Sequence, residues 1–181
     1  MSLANSPIED NQLSTLLPDM ARHLDVYYLR LDNTTIGDKG LMQFSHFGHL
    51  RELDLSGTHV TDTGLTHLRP VETLQTLGLC DTGITDQGLL HLVGMPHLSA
   101  LHLRGTSITN EGLKCLAGLP QLRLLDLSEC PVSDEGLSNI AKLKRLRLLR
   151  LTGTRISMHG LLSLKKSRPD VRVYPDKAEP L

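Results

Sequence analysis

Three residues whose side chains support nucleophilic catalysis follow one another at nearly regular spacing in the middle of the sequence. Cys80, His102 and Asp126 supply a thiol, an imidazole and a carboxylate, the groups that a cysteine hydrolase combines. On three consecutive parallel strands, about 4.8 Å apart, these side chains could form a line. A catalytic site also needs hydrogen-bond donors for an oxyanion and a cavity that excludes water, and an open sheet supplies neither. The three residues therefore predict a solvated polar row, with a Cys80 hydrolase as the least favoured function.

A second set of three residues repeats every 24 positions and has the donor types of a zinc site. His67, His91 and Cys115 would lie on neighbouring helices, about 8–10 Å apart, so three successive side chains do not easily close a tetrahedron. The sequence also lacks a phosphate-binding glycine loop, because its regularly spaced glycines belong to predicted helix starts. We therefore predict no catalytic residues, no metal and no cofactor.

The cysteines and the apolar segments bear on localisation. Cys80, Cys115 and Cys130 are odd in number and fall on different faces or well-separated strands, so they predict free thiols in a reducing compartment. The N-terminal segment has no apolar run that could serve as a signal peptide, and no segment could span a bilayer. We expect a cytoplasmic protein without a membrane partner, although secretion without a hydrophobic signal remains open.

The elements that must position these residues come from a repeat of 24 residues. The third unit starts at Leu74 and reads LQTLGLCDTGITDQGLLHLVGMPH. Its opening LxxLxL alternates as a short strand does when its leucines face inward, and its GLxxL places two leucines on one helical face. One leucine keeps its place in all six units: Leu29, Leu53, Leu77, Leu101, Leu125 and Leu149. The pattern predicts parallel strands that alternate with short helices.

Polar residues at fixed places predict how each turn closes. A threonine two residues beyond the strand, replaced once by Cys130, can satisfy backbone groups that turn away from the sheet. An apolar residue such as Ile84 then plugs the turn. A second threonine or serine, such as Thr85, stands at the expected helix N-cap and is mostly followed by Asp or Asn.

The consensus LxxLxLxxTxITDxGLxxLxxLPxL resembles the leucine-rich repeat, close to the cysteine-containing class of F-box adaptors and to tandem bacterial repeats. The resemblance covers about residues 26–173. It implies an α/β fold, a right-handed solenoid with a parallel sheet on the concave face and short helices on the convex face. It also implies a non-enzymatic protein that binds a protein partner. A ubiquitin-ligase substrate receptor or a secreted bacterial effector is the alternative, although residues 13–24 are too short and too poorly matched to form an F-box.

Both ends of the stack are expected to be capped. Ser6-Pro7-Ile8-Glu9 has the form of a capping box and predicts a helical N-terminal cap over residues 1–25. The helical spacing of its apolar residues predicts one apolar face, formed by Leu13, Leu16, Leu17 and Met20. Six repeats and a last short strand at residues 171–173, reached through a slip of one residue, form a repeat domain over residues 26–173. Residues 174–181 form a polar tail. Because both ends carry a cap, we expect a complete small protein.

Outward-facing strand positions predict the binding surface, because the core does not need these side chains. Leu124 and Leu148 lie with Ala100 in a small apolar patch beside charged residues, as in the centre of an interface. The predicted partner-binding residues on the concave face are Tyr28, Arg30, Glu52, Asp54, His102, Arg104, Leu124, Asp126, Arg147, Leu148 and Arg150.

Charge is segregated along the chain. Residues 1–136 carry eight Lys or Arg and 17 Asp or Glu, a net charge of −9, whereas residues 137–173 carry ten Lys or Arg and one acid, a net charge of +9. Favourable interaction with helix C-termini accounts for some of these cations but not for all ten. The basic C-terminal end therefore predicts an anionic partner. A nucleic acid is not the expected partner, because the whole chain has a net charge of −1.

Overall fold

A single parallel sheet runs through the whole molecule. The computed structural model describes residues 1–23 and 25–175, with the backbone alone for residues 18–23. The strands are β1 (Tyr28–Arg30), β2 (Glu52–Asp54), β3 (Thr76–Gly78), β4 (Ala100–His102), β5 (Leu124–Asp126), β6 (Leu148–Arg150) and β7 (Arg172–Tyr174). They pair in chain order, and the register advances by 24 residues at each step, from Leu29 opposite Leu53 to Leu149 opposite Val173. The predicted solenoid with its parallel sheet is confirmed.

Short helices return the chain from each strand to the next on the convex side. The α-helices are α1 (Asp10–His23), α2 (Asp62–Leu65), α3 (Asp86–Leu92), α4 (Leu137–Ala141) and α5 (Met158–Ser167). The 3-10 helices are Asp38–His46, Thr66–Leu68, Gly112–Gly118 and Asp134–Gly136. Sequence periodicity predicts a helical connection in each repeat but does not distinguish the 3-10 form, which is common in short segments.

Aliphatic side chains from successive repeats form one continuous core. In the third repeat Leu77, Leu79, Ile84 and Leu92 have no exposed surface. Burial of one such side chain stabilises the fold by about 1.5–3 kcal/mol. The turn position of Ile84 is equally buried in most repeats, but Ile156 at the end of the stack is only partly buried. The core therefore loosens where a repeat lacks a full neighbour.

Aspartates at the helix starts join each repeat to the next. Asp62 Oδ1 accepts a hydrogen bond from the backbone N–H of Thr85 at 2.8 Å, and its Oδ2 accepts one from the Thr85 hydroxyl at 2.6 Å. Thr85 Oγ1 in turn accepts from Gln87 N at 3.3 Å, which is the predicted N-cap. Equivalent links join Asp38 to Thr61, Asp86 to Thr109, Asn110 to Ser133 and Asp134 to Ser157. These aspartates and Asn110 bind the next repeat, which the sequence did not reveal.

The same link explains the glycine three residues beyond each capping threonine. A Cβ atom at Gly88 would clash with Asp62 Oδ1 and would lie 3.0 Å from a methyl group of Ile84. The aspartate of one repeat therefore needs the missing side chain of the next repeat. Glycine at this place meets a steric requirement between repeats.

The N-terminal residues extend the sheet, which the sequence analysis did not predict. Leu3 N–H donates to Arg30 O at 2.8 Å, and Arg30 N–H donates to Met1 O at 3.1 Å. Asn5 N–H continues the ladder by donating to Asp32 O at 2.9 Å. Residues 1–5 therefore cover the free edge of β1, where a helical cap over residues 1–25 was expected.

The helix of this cap begins later than its predicted capping box. Ser6 is not the N-cap, because α1 starts at Asp10 and the Ser6 hydroxyl donates to Leu3 O. Glu9 N–H instead donates to Gln12 Oε1 at 2.9 Å. Leu13 is fully buried, whereas Leu16, predicted on the same apolar face, is 45% exposed. The side chain of Met20, predicted to share that face, lies outside the described residues.

The last strand keeps the period of the repeat. Val173 pairs with Leu149, so the predicted slip of one residue does not change the register of the sheet. Tyr174 pairs with Arg150 and belongs to β7, although the sequence analysis placed it in the tail. Residues 176–181, the rest of that predicted tail, lie outside the described residues. The domain boundaries remain predictions.

The three thiols differ in burial and should differ in reactivity. Cys130 is 1% exposed and its Sγ donates to Leu103 O at 3.1 Å, whereas Cys80 and Cys115 are partly exposed. Burial raises the pKa of both Cys130 and Cys80 above the ordinary thiol value. We expect iodoacetamide to alkylate native Cys130 slowest, as measured by peptide mass spectrometry. Equal rates for all three in denaturant are the control, and native labelling of Cys130 as fast as Cys80 would contradict its placement.

Candidate protein-binding surface

The concave face is formed by two outward side chains from each strand. The first column contains Tyr28, Glu52, Thr76, Ala100, Leu124, Leu148 and Arg172, and the second contains Arg30, Asp54, Gly78, His102, Asp126, Arg150 and Tyr174. Nine of the predicted site residues lie in these columns. Arg104 lies two residues beyond β4, and Arg147 immediately precedes β6.

A groove of about 520 Å³ crosses the N-terminal half of this face, over β1 to β4. Its floor lies at Gly78, which pairs with Asp54 on one side and with His102 on the other. Asp54 leans over this glycine, because a Cβ atom there would be 2.5 Å from Asp54 Oδ1. We call this space the groove. Its lining includes Tyr28, Arg30 and Glu52 from the predicted set.

Acidic groups dominate the charge in the groove. Arg30 donates to both oxygens of Asp32 at 3.1 Å, so its positive charge is balanced locally. Asp54 Oδ1 accepts from Ser56 N at 3.0 Å, and Glu52 is exposed. Burial lowers the pKa of His102 more than the nearby Asp126 raises it, which favours the neutral imidazole. The N-terminal ammonium of Met1, which donates to Tyr28 O at 2.7 Å, also lines the groove. The carboxylates of Glu52 and Asp54 outweigh this one charge, so the groove has a small excess of negative charge.

An apolar strip crosses the middle of the concave face. Ala100, Leu124 and Leu148 are directly opposite one another on β4, β5 and β6, and each is partly exposed. Aliphatic side chains beside charged ones are typical of the centre of a protein interface. We call these three residues the apolar strip.

Beyond the strip the face becomes basic. Asp126 is covered, with 6% of its side chain exposed; its Oδ1 accepts from Ser128 N, and its Oδ2 lies 3.5 Å from Arg150 Nη1. Half of the Arg150 side chain remains exposed. Asp126 therefore orients Arg150 and has little surface of its own to offer a partner. Arg150 and Arg172 are called the basic pair below.

The two remaining predicted residues are committed to contacts within the protein. Arg104 forms an ion pair with Glu129 at 2.9 Å, although both side chains are about half exposed. Arg147 forms an ion pair with Asp170 at 2.8 Å and also donates to Leu146 O at 2.9 Å. Because Arg147 precedes β6, it borders the concave face and does not project from one of its two strand columns.

Comparisons with known proteins agree with this geometry. Two family models described as leucine rich repeat match residues 72–132 and residues 49–68. The fold also matches the crystal structure of internalin C2 from Listeria monocytogenes, with a TM-score of 0.72 and 26% sequence identity over 98% of this chain and 72% of that chain. The chain is a leucine-rich-repeat protein.

Another internalin from Listeria monocytogenes, inlF, shares the fold at 22% identity and a TM-score of 0.66; the match covers 98% of this chain and 54% of that one. A search of curated proteins finds no significant match. Leucine-rich-repeat proteins form a class of protein-interaction modules, and the match supports that general function here. No helix among residues 1–23 and 25–175 is long and apolar enough to cross a membrane.

The polar row of this leucine-rich-repeat protein does not form a nucleophilic centre. His102 is in register with Gly78, and Cys80 lies two residues further along the chain. No hydrogen bond joins Cys80, His102 and Asp126 to one another within the described part of the chain. The pKa of Cys80 is raised by burial, which disfavours the thiolate that would attack a substrate.

The three residues with the donor types of a zinc site lie on successive repeats of the convex side. His67, His91 and Cys115 are each partly exposed on successive repeats. Among residues 1–23 and 25–175 no group of three or more His, Cys, Asp or Glu could hold a metal ion.

Sequence reasoning did not single out the glycine at the floor of the groove. Gly78 occupies a column in which every other repeat has a side chain, and a glycine inside a strand often marks a close approach. That signal was present in the sequence. The contribution of Met1 and Ser2 to the lining had no comparable signal, because it depends on the pairing of residues 1–5 with β1.

Proposed function

We propose that the concave face of this protein binds a protein partner without enzymatic chemistry. The observation that supports it most strongly is the combination of a groove of about 520 Å³ with the apolar strip on one sheet face. Tyr28 borders the groove and is 53% exposed. Exposed aromatic and aliphatic groups on a rigid sheet can bury surface against a partner at little conformational cost.

The similarity to internalins supports a function in protein binding. A substrate receptor of a ubiquitin ligase and a secreted effector would both use the same face, so the geometry supports their shared step of protein capture. Three free cysteines favour a reducing compartment such as the cytoplasm.

Position-specific photo-crosslinking tests the proposal. We expect benzoylphenylalanine at Tyr28 or at Leu124, on the concave face, to give the same protein adduct in an extract of the source cells. Leu90 is the matched control, because it is 46% exposed and lies on the convex helix α3. An adduct formed from Leu90 and absent from both concave positions would contradict the proposal.

The basic C-terminal end is a second candidate surface, for an anionic partner. Lys144 and Lys166 are exposed and have no side-chain hydrogen bond or ion pair within residues 1–23 and 25–175. Several neighbouring cations are instead held by protein groups; Arg168, for example, donates to Leu143 O and to Asp170. The two free lysines are therefore the cations best placed to bind an anionic surface.

Self-association offers a test that needs no other protein. The net charge of −9 over residues 1–136 and of +9 over residues 137–173 should cause weak head-to-tail association at low salt. We expect it to disappear as ionic strength rises above about 0.1 M, where the Debye length is about 10 Å. Sedimentation velocity of the parent chain and of Lys144→Glu with Lys166→Glu measures this, with exposed Lys39→Glu as control. A monomer at every ionic strength would contradict it.

A further inference from the structure

We propose that the concave face binds an extended segment of its partner with a fixed order of charge: a basic side chain in the groove, apolar side chains on the strip, and an acidic side chain at the basic pair. This inference rests on the proposed function, because it specifies the chemistry of the partner for the same face. The three zones succeed one another across the strands from β2 to β7.

The groove fits a cation. The Glu52 carboxylate has no hydrogen bond or ion pair within the described part of the chain, and the Asp54 carboxylate uses only Oδ1, for Ser56 N. Arg30 is already bound to Asp32, with a smaller attraction to Asp54. An arginine or lysine entering here would gain charge-assisted hydrogen bonds to the two carboxylates.

The shape of the groove favours a long side chain. Asp54 Oδ1 and Ser56 Oγ occupy the place that a side chain at Gly78 would take, so these oxygens lie at the floor. The total volume of about 520 Å³ can hold an arginine together with its flanking backbone. Tyr28 is in direct register with Glu52, so its exposed ring can lie against the cation. A basic side chain can therefore pair with the carboxylates of the groove and pack against the ring of Tyr28 at its wall.

The opposite end of the face fits an anion. Arg150 has half of its side chain exposed, and its ion-pair partner Asp126 is 3.5 Å away. Arg172 is exposed on β7 and has no side-chain partner within residues 1–23 and 25–175. A carboxylate of the partner can pair with either guanidinium.

The separation of the two ends sets the length of the segment. Four strand spacings of about 4.8 Å lie between β2 and β6, so the charged zones are about 19 Å apart. An extended chain covers this distance with about six residues at roughly 3.3 Å each. The distance exceeds the Debye length of about 8 Å at physiological salt, so each zone should act independently of the other.

Selection from a displayed library of random 12-residue peptides tests this arrangement. On the parent protein we expect peptides with Lys or Arg about six residues from Asp or Glu, enriched about fivefold for each charge. Glu52→Lys should remove only the preference for Lys or Arg in the selected peptides, and Arg172→Glu should remove only the preference for Asp or Glu. The double variant should lose both preferences, because Asp54 and Arg150 then each face a side chain of opposite charge in their own zone. Matched controls are Glu72→Lys and Arg155→Glu, which reverse exposed charges outside the strands.

The outcomes separate this inference from the function on which it rests. If the selected peptides show no charge preference but do not bind the Leu124→Arg variant, the proposed order of charge is wrong and binding on the concave face still holds. If the selected peptides bind Glu52→Lys, Arg172→Glu and Leu124→Arg as well as they bind the parent protein, both the order of charge and binding on the concave face are wrong. A far-ultraviolet circular dichroism melt of each variant confirms that the fold is intact before the selections are compared.

Discussion

Ile84→Asp is expected to unfold the protein, whereas Thr85→Ala should leave it folded. Ile84 has no exposed surface, so the aspartate would bury a charge with no partner at a cost of at least about 4 kcal/mol. That cost is comparable to the whole stability of many domains, about 5–15 kcal/mol. Thr85→Ala removes the hydroxyl bond to Asp62 and the N-cap bond from Gln87, a loss of about 1–2 kcal/mol.

Urea denaturation followed by circular dichroism measures both changes. Ile84→Val serves as the matched control, because it keeps the turn apolar and should cost only about 0.5–1.5 kcal/mol. Similar shifts of the unfolding midpoint for Ile84→Asp and Thr85→Ala would show that the turn is wrongly placed.

Gly88→Ala should destabilise the protein by about 1–3 kcal/mol, because the new methyl group would clash with Asp62 Oδ1 and crowd Ile84. The cause lies in the adjacent repeat, so the effect should depend on Asp62. In an Asp62→Ala background, which itself loses two hydrogen bonds to Thr85, adding Gly88→Ala should cost less than about 1 kcal/mol.

A double-mutant cycle built from urea melts measures this coupling. Gly48→Ala is the control, because no atom would lie within 4 Å of its added Cβ, and its stability should change by no more than about 0.5 kcal/mol. Equal costs of Gly88→Ala with and without Asp62 would contradict a steric requirement between repeats.

The sequence was sufficient for the parts of the fold that depend on periodicity. Leu53, Leu77 and Leu101 recur every 24 residues, and a parallel sheet with this register is the arrangement that buries all of them. The threonines beyond the strands were also interpreted correctly, since Thr58 Oγ1 donates to Leu55 O at 2.6 Å. Local patterns identify contacts within one repeat or between identical positions.

Contacts between different positions of neighbouring repeats could not be predicted in the same way. Asp62 looks like a helix-start acid in the sequence, yet its carboxylate binds Thr85 in the following repeat. Asp126 was predicted to contact a partner, but the approach of Arg150 and the backbone of Ser128 cover it. Such assignments depend on side-chain direction in three dimensions.

For the candidate binding surface, the sequence predicted which side chains face outward but not where a groove would form. Tyr28 and Glu52 followed from strand alternation, because outward positions are free of the core. The groove depends on both Gly78, over which Asp54 leans, and the unexpected pairing of residues 1–5 with β1. Alternation predicts which face is exposed, whereas a cavity depends on the size of each neighbour.

The affinity of the photo-crosslinked partner for two leucine variants tests the central claim most directly. Leu124→Arg places a bulky charge in the apolar strip, and Leu90→Arg makes the same change on the convex helix α3. By isothermal titration calorimetry we expect Leu124→Arg to weaken binding at least about thirtyfold, as loss of about 2 kcal/mol at an interface centre would. Leu90→Arg should bind as the parent does. Loss of affinity in Leu90→Arg with full affinity in Leu124→Arg would contradict binding on the concave face.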